Sequence, residues 1–486
     1  MGKGSKSLSK GGLYYLIYNV LNLAFPFIHG IYVARVLLPE SIGSVAAAQN
    51  FAQYFVILAF LGIPTYGLRE IAKTRNDQNE RNKVYSELYI INFISTIIFL
   101  CIYIALVFIV PTYRNELALY LITGISIALN AFNISWLYEG MEEFKFISLR
   151  NLIFKAVVFA LLVLLVRDEK DVLIYAFIAV VGVAGNYIVN MIYSPRYVKF
   201  TTKNLNLKRH MKSIMYLVAV NLAIELYSLM DVTMMNFMCS KDSIAFYKYG
   251  HQIEKMLLQV VNTFTIVLIP RISFYYKEKK MDAFNRLISK ALKLIIIVSI
   301  PMIVGIYFTA DFLMVQMYGE AYITSALILK LFSTLLLISP VGYLLGSRVL
   351  LVTGHENLMI VSVGIGALVN LVGNALLIPR YAEFGATVAS IISEIVVMVV
   401  YVNLGKRHFR LEGIVRTSGK VLLSAAIMGA YLFVCSKLPL NPWLILILQI
   451  PGAVALYFIV LLIEKESVVV EYSQAILRKG TALIRQ

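Results

Sequence analysis

The chain is poor in cysteine and poor in charge. Its 486 residues include three cysteines, Cys101, Cys239 and Cys435. They are far apart, and two lie inside apolar runs, so they offer neither a metal-ligand spacing nor a disulfide framework. Charged residues make up 15% of the chain against 60% hydrophobic ones, and the mean hydropathy is +0.79. Soluble domains carry about a quarter charged residues, so the composition points to a polytopic membrane protein. No Gly-rich phosphate-binding loop is present, which argues against an ATP-driven pump. No loop is long enough for a separate domain and no acid/base constellation converges at an interface, which argues against a membrane transferase.

Positive charge is in excess, with 44 Lys and Arg against 27 Asp and Glu and a net charge of +17. A nucleic-acid domain would cluster these residues on a soluble face. Here they fall between apolar spans, so they imply no nucleic-acid partner.

The first two apolar spans are expected at 13–34 and 43–66, followed by a charged segment at 67–83. Each matches the ~20 apolar residues that cross a ~30 Å hydrocarbon core. The first is entered from Lys3, Lys6 and Lys10 and is kinked near Pro26. It is too long for a signal-peptide core and no small-residue cleavage site follows it, so it is expected to stay as an uncleaved span. Spans at 84–110, 117–138, 151–166 and 172–193 complete a first lobe, 1–193. After a basic linker, 194–212, a second lobe at 213–403 holds spans at 213–236, 249–269, 287–308, 322–347, 358–378 and 385–403. A C-terminal region, 404–486, adds two more at 421–436 and 443–463. The expected fold is an all-α polytopic membrane protein of about fourteen transmembrane helices.

A repeat supports the two-lobe division. At an ungapped offset of 202, Asn19 falls on Asn221, Glu40-Ser41-Ile42 on Asp242-Ser243-Ile244, and Arg69 on Arg271. Such internal repetition is a mark of transporters. Alternate loops and their flanks hold 34 Lys and Arg on one side and 8 on the other. By the positive-inside rule both termini are cytoplasmic, and the basic loops also suit anionic head groups of membrane lipids.

Charges deep within spans are the pointers to function, because each costs about 2.5 to 3.5 kcal/mol at the bilayer centre. They are Glu225, Asp231, Glu254, Lys255, Lys330 and Glu394. Each either fixes helix packing through an ion pair or lines a solvated cavity. His29 and the asparagines Asn19, Asn22, Asn130, Asn133, Asn370 and Asn374 suit interhelical hydrogen bonds. Pro26, Pro301 and Pro340 free backbone carbonyls and mark packing kinks or hinges.

Several runs carry a family resemblance. Arg35 to Gly43 (RVLLPESIG) and Tyr66 to Lys73 (YGLREIAK) resemble the N-terminal signature of bacterial polysaccharide-type oligosaccharide flippases, of the multidrug/oligosaccharidyl-lipid/polysaccharide exporter superfamily. Trp136 to Phe144, Gly354 to Leu358, Asn370 to Asn374, Ile378-Pro379 and Phe384 to Ala386 resemble later segments of that family, so the likeness spans roughly 13–403.

The resemblance implies two pseudo-symmetric six-helix lobes around a central cavity, here with two additional C-terminal helices. It implies a non-enzymatic transporter of the bacterial inner membrane that uses no cofactor. The transporter would move undecaprenyl-pyrophosphate-linked oligosaccharide from the inner to the outer leaflet by alternating access. A polysaccharide polymerase and chain-length machinery are the partners it implies. A pyrophosphate carries about two negative charges, so its passage needs a polar, cationic path. Lys255, Lys330 and Arg35 are the candidates toward the outer side, and Arg69 and Arg271 toward the cytoplasmic side. Arg69 and Arg271 also suit plain positive-inside anchoring. Glu225, Asp231 and Glu394 are the coupling-ion candidates. The acidic set leaves open a cation-coupled multidrug exporter, and the two extra helices leave open a lipid II flippase.

Overall fold

The computed structural model describes residues 25–266, 268–439 and 441–474, and their regular structure is entirely helical. Residues 13–24 of the first expected span, with Asn19 and Asn22, lie outside the described residues. Ten described helical segments are long and apolar enough to cross a membrane. The chain forms two compact units, Met1–Ala245 and Phe246–Gln486.

In the first unit, helix α1 covers 25–36. Helix α2 (Pro39–Phe60) starts with a proline after the extended Leu38, where the missing N–H breaks no helical bond. The span expected at 43–66 does not run through. Leu61 and Gly62 are left-handed, with φ of 48° and 68°, and they end α2 before a separate amphipathic helix, α3 (Ile63–Lys73).

Helix α4 (Gln78–Ile109) takes in charged residues expected to lie in a loop, because the Asp77 side chain caps it by accepting from the Asn79 and Glu80 amides. Helices α5 (Leu117–Asn130), α6 (Ser135–Gly140) and α7 (Phe144–Leu165) follow. Helix α8 (Val172–Val180) then passes through a π turn at Val181–Gly185. Helix α9 (Lys208–Met238) leads into α10 (Lys241–Ile266), with only 239–240 between them. The outer loop expected at 237–248 is therefore almost absent.

The boundary between the units falls within α10, beyond the 194–212 linker where the lobes were expected to part. The reason is that α9 is fastened to α2. Asn50 donates to the Leu229 carbonyl at 3.1 Å and to Thr233 Oγ1 at 2.8 Å, and the Tyr54 hydroxyl meets Thr233 Oγ1 at 2.9 Å. Gly43 lies so close to Lys241 that a Cβ there would sit 1.8 Å from the Lys241 carbonyl oxygen.

Nor is the linker a loose strap. The Lys199 and Thr201 amides donate to Asn82 and Ser86 of α4, and the Asn206 amide donates to Glu87. A core of Tyr66, Ile71, Tyr85, Leu88, Trp136 and Tyr138 joins α3, α4 and α6.

In the second unit, α11 (Ile269–Lys277) is followed by α12 (Met281–Tyr318), which contains Pro301. Helix α12 extends through most of the outer loop expected at 309–321. Helices α13 (Ile323–Phe332) and α14 (Leu335–Gly342, with Pro340) lead to a π turn at Tyr343–Arg348. Helix α15 (Glu356–Gly405) is broken only at Ala382, where φ is 47° and ψ is −125°. At 1.5 Å per residue its fifty residues are about 75 Å long, enough for two crossings. Helices α16 (Ile414–Ser436) and α17 (Pro442–Ile463) are not an appendage. Their Val421, Met428, Leu432 and Tyr457 share one core with Ile288, Ile295 and Leu344, and the Tyr457 hydroxyl donates to the Ile297 carbonyl at 2.8 Å. Apolar side chains left uncovered, such as Ile98, Leu376 and Ile447, suit a hydrocarbon surround.

The repeat holds with one change. Helices α2 and α10 start 202 residues apart, but α10 has 26 residues and α2 has 22. The following Ile-Pro helices α3 and α11 therefore start 206 apart. Arg69 is the seventh residue of its helix and Arg271 the third of its own, so the two arginines are offset by about one turn rather than equivalent.

Candidate functional site

Among the charges expected within spans, two lie side by side in the second unit, on α10, a helix that is not among the ten segments apolar enough to cross a membrane on composition. The sequence places Glu254 and Lys255 side by side, and helical geometry turns them to different surroundings. Glu254 is 1% exposed, whereas Lys255 is exposed. One turn earlier, His251 stacks on Phe332 of α13 at 4.6 Å between ring centroids. Its Nε2 is 3.6 Å from Glu254 Oε2, beyond hydrogen-bond length.

Gly250 permits this close packing, because a Cβ there would meet Ile328 of α13 at 2.7 Å. The Glu394 carboxylate of α15 is within electrostatic reach of Glu254 and accepts a 2.8 Å hydrogen bond from Ser339 of α14. Tyr343, at the start of the π turn, feels both Glu394 and Arg348. Glu254 thus has His251 beside it on α10 and lies within electrostatic reach of Lys255 and of Glu394 on α15.

The other expected residues are dispersed. Lys330 is held by Asp311 at 2.6 Å, with its ammonium 5.4 Å from the centre of the Tyr307 ring, so that charge is already neutralised by a carboxylate. Arg35, Arg69 and Arg271 are exposed. In the first unit, Asp231 is buried on α9 and acts electrostatically on Tyr54, while Glu225 on the same helix is half-buried. Of the eight site residues expected from sequence, Lys255 and Glu394 come together, joined by Glu254.

A buried charged network at the start of α4 was not anticipated. Glu87, 1% exposed, accepts from Arg209 Nε at 2.9 Å and meets His210 Nε2 at 2.7 Å. Arg209 also reaches Glu80 at 2.6 Å. Arg81 donates to the carbonyls of Arg75 and Tyr197. The signal was present, since Glu87 sits three residues after Val84 and four before Ile91, both buried.

The description "Polysaccharide biosynthesis protein" belongs to the family whose pattern matches residues 8–276. A protein of Escherichia coli (strain K12) named "Putative O-antigen transporter" is 20% identical over 412 residues, covering 84% of this chain and 99% of that one. Capsular polysaccharide biosynthesis protein CapF of Staphylococcus aureus is 28% identical over 148 residues, 30% of this chain and 37% of that one. Among solved structures, the lipid II flippase MurJ in an inward closed conformation superposes with a TM-score of 0.65 at 16% identity, covering 88% of this chain and 97% of that one. An inward-facing multidrug resistance MATE family transporter superposes with a TM-score of 0.62 at 15% identity, covering 79% and 93%.

Proposed function

The chain belongs to the polysaccharide biosynthesis protein family, a family of membrane transporters rather than enzymes, and from that premise we propose that it is a lipid-linked oligosaccharide flippase. It moves undecaprenyl-pyrophosphate-linked oligosaccharide from the inner to the outer leaflet by alternating access, for surface polysaccharide assembly. The observation that carries this is the family match over more than half the chain, together with a relative aligned over nearly its whole length. The fold is shared by flippases and drug exporters, so it supports a transporter without choosing the cargo.

Physical chemistry supports the same cargo. A doubly charged pyrophosphate and a hydroxyl-rich glycan need compensating polar groups to pass a hydrocarbon core. Lys255, exposed on α10 and not engaged in a described ion pair, is the cation best suited to follow phosphate oxygens, being a flexible point charge. Arg69 and Arg271, on the short amphipathic helices α3 and α11, and Arg35 draw the head group toward the path. Lys330 contributes only when its bond to Asp311 opens. Polymerase and chain-length proteins are the partners that would receive the product.

Deletion of the gene in its own host tests this function. Lipid-linked oligosaccharide should accumulate and surface glycan disappear. A deletion strain with normal surface glycan and no accumulated intermediate contradicts it.

A further inference from the structure

We propose that Glu254 binds and releases a proton during the transport cycle, with Glu394 as the charge that attracts it and His251 as its route. The proposal rests on the transporter function above and identifies its coupling group. The first support is geometric. Glu254 is 1% exposed, and its Oε1 has no hydrogen-bond partner. An ionised carboxylate so placed forfeits several kcal/mol of solvation unless a proton or cation joins it.

The neighbours select the proton. On its own helix Glu254 has His251 one turn away, and it lies within electrostatic reach of Lys255, which is turned to the exposed side, and of the Glu394 carboxylate of α15. Around Glu394 stand Tyr343, Tyr401 and, through Tyr343, Arg348. A hard metal cation needs six or more oxygen ligands, whereas this cluster sets an ammonium and an imidazole beside its carboxylates. Among the described residues no group of three or more His, Cys, Asp or Glu is placed to hold a metal. Burial of Glu254 and the negative charge of Glu394 both disfavour a bare carboxylate there, against the opposing pull of the Lys255 ammonium.

His251 is the more open of the two, its side chain 21% exposed against 1% for Glu254, and its ring is the titratable group beside that carboxylate. Their 3.6 Å separation closes to hydrogen-bond length with a small ring rotation. The proton leaves a ring nitrogen and joins a Glu254 carboxylate oxygen, giving neutral imidazole and carboxylic acid. The pair then bears on a part of the fold able to switch. Ser339, the residue before Pro340, holds Glu394, and the π turn at Tyr343–Arg348 follows within the same segment. Such turns mark local rearrangements at functional sites.

The experiment is infrared titration of the purified full-length protein in lipid nanodiscs. The wild type should show a protonated carboxyl band that appears and disappears with pH. E254Q should lose it, and E394Q should move its midpoint to lower pH by removing a neighbouring negative charge. H251F should keep the band but slow its appearance after a pH jump. E254D retains an acid at the position and should restore a titrating band if E254Q folds poorly. A band unchanged by E254Q, or no titrating carboxyl band in the wild type, overturns the proposal. The measurement needs no cargo. Loss of the band in E254Q alongside normal surface glycan in a deletion strain would leave the proton site standing and remove the flippase function, and the reverse pair of results would do the opposite.

Discussion

The carboxylate of Glu87 lies 2.7 Å from His210 Nε2, and the other ring nitrogen of His210 lies 2.8 Å from the Tyr66 hydroxyl. One acid in α4 therefore secures the start of α9, and through it α3. With Arg209 and the Asn206 amide on the same carboxylate, the segment between the halves is fixed rather than free.

Removing that acid leaves Arg209 and His210 without their shared partner. Glu87→Ala should destabilise the protein by roughly 1–3 kcal/mol, the cost of leaving the buried His210 ring and the Asn206 amide without their acceptor, while Arg209 keeps Glu80. Glu80→Ala, whose side chain is 33% exposed, should cost less than about 1 kcal/mol. Thermal unfolding of the two purified variants in the same detergent measures the difference.

Close helix contacts make a second comparison. Gly43→Ala drives a methyl group into the Lys241 backbone and should cost about 1–3 kcal/mol as overpacking. Gly364→Ala meets nothing within 4 Å and should leave stability unchanged or raise it by about 1 kcal/mol through helix propensity. Unfolding midpoints of both variants give the answer.

Much of this architecture was legible in the sequence. Uninterrupted apolar length located α17 and the C-terminal ends of α7 and α16 to within one residue of the spans expected there, while α7 and α16 each begin seven residues earlier. It failed where a helix continues past its apolar run or breaks within one. The Leu61-Gly62 break reverses φ within an apolar run, and hydropathy does not register φ. Helix α12 continues to Tyr318 past polar residues whose charge is met locally, as Asp311 is by Lys330. The site was legible as a set of misplaced charges, and Glu254, Lys255 and Glu394 were among them. Which of those charges meet is a tertiary fact, and sequence spacing alone does not separate a buried Glu254 from an exposed Lys255.

Orientation is open to chemical labelling. In a chain with Cys101, Cys239 and Cys435 replaced, a cysteine at the exposed position 203 should resist an impermeant thiol reagent in intact cells, and one at position 320 should react. The Lys and Arg bias between alternate loops sets this expectation. Strong labelling at 203 with none at 320 would invert the topology.

Lys255 separates a role in transport from one in folding. Because its side chain is exposed, Lys255→Gln should leave protein abundance near that of the wild type, yet should remove most surface glycan. Lys255→Arg keeps the charge and should retain much of the export. Glycan and protein abundance measured in the same cells check both. A fall in abundance that matches the fall in glycan would mean that Lys255 serves the fold.

The most direct measurement reconstitutes the purified protein in liposomes containing undecaprenyl-pyrophosphate oligosaccharide. The fraction of glycan cleaved by an impermeant glycosidase added outside is then followed. With the protein present, cleavage should proceed from the outer-leaflet pool to nearly all of the lipid. If cleavage stops at the outer-leaflet pool, as in protein-free liposomes, while the protein is shown to be folded and inserted, the flippase account is contradicted.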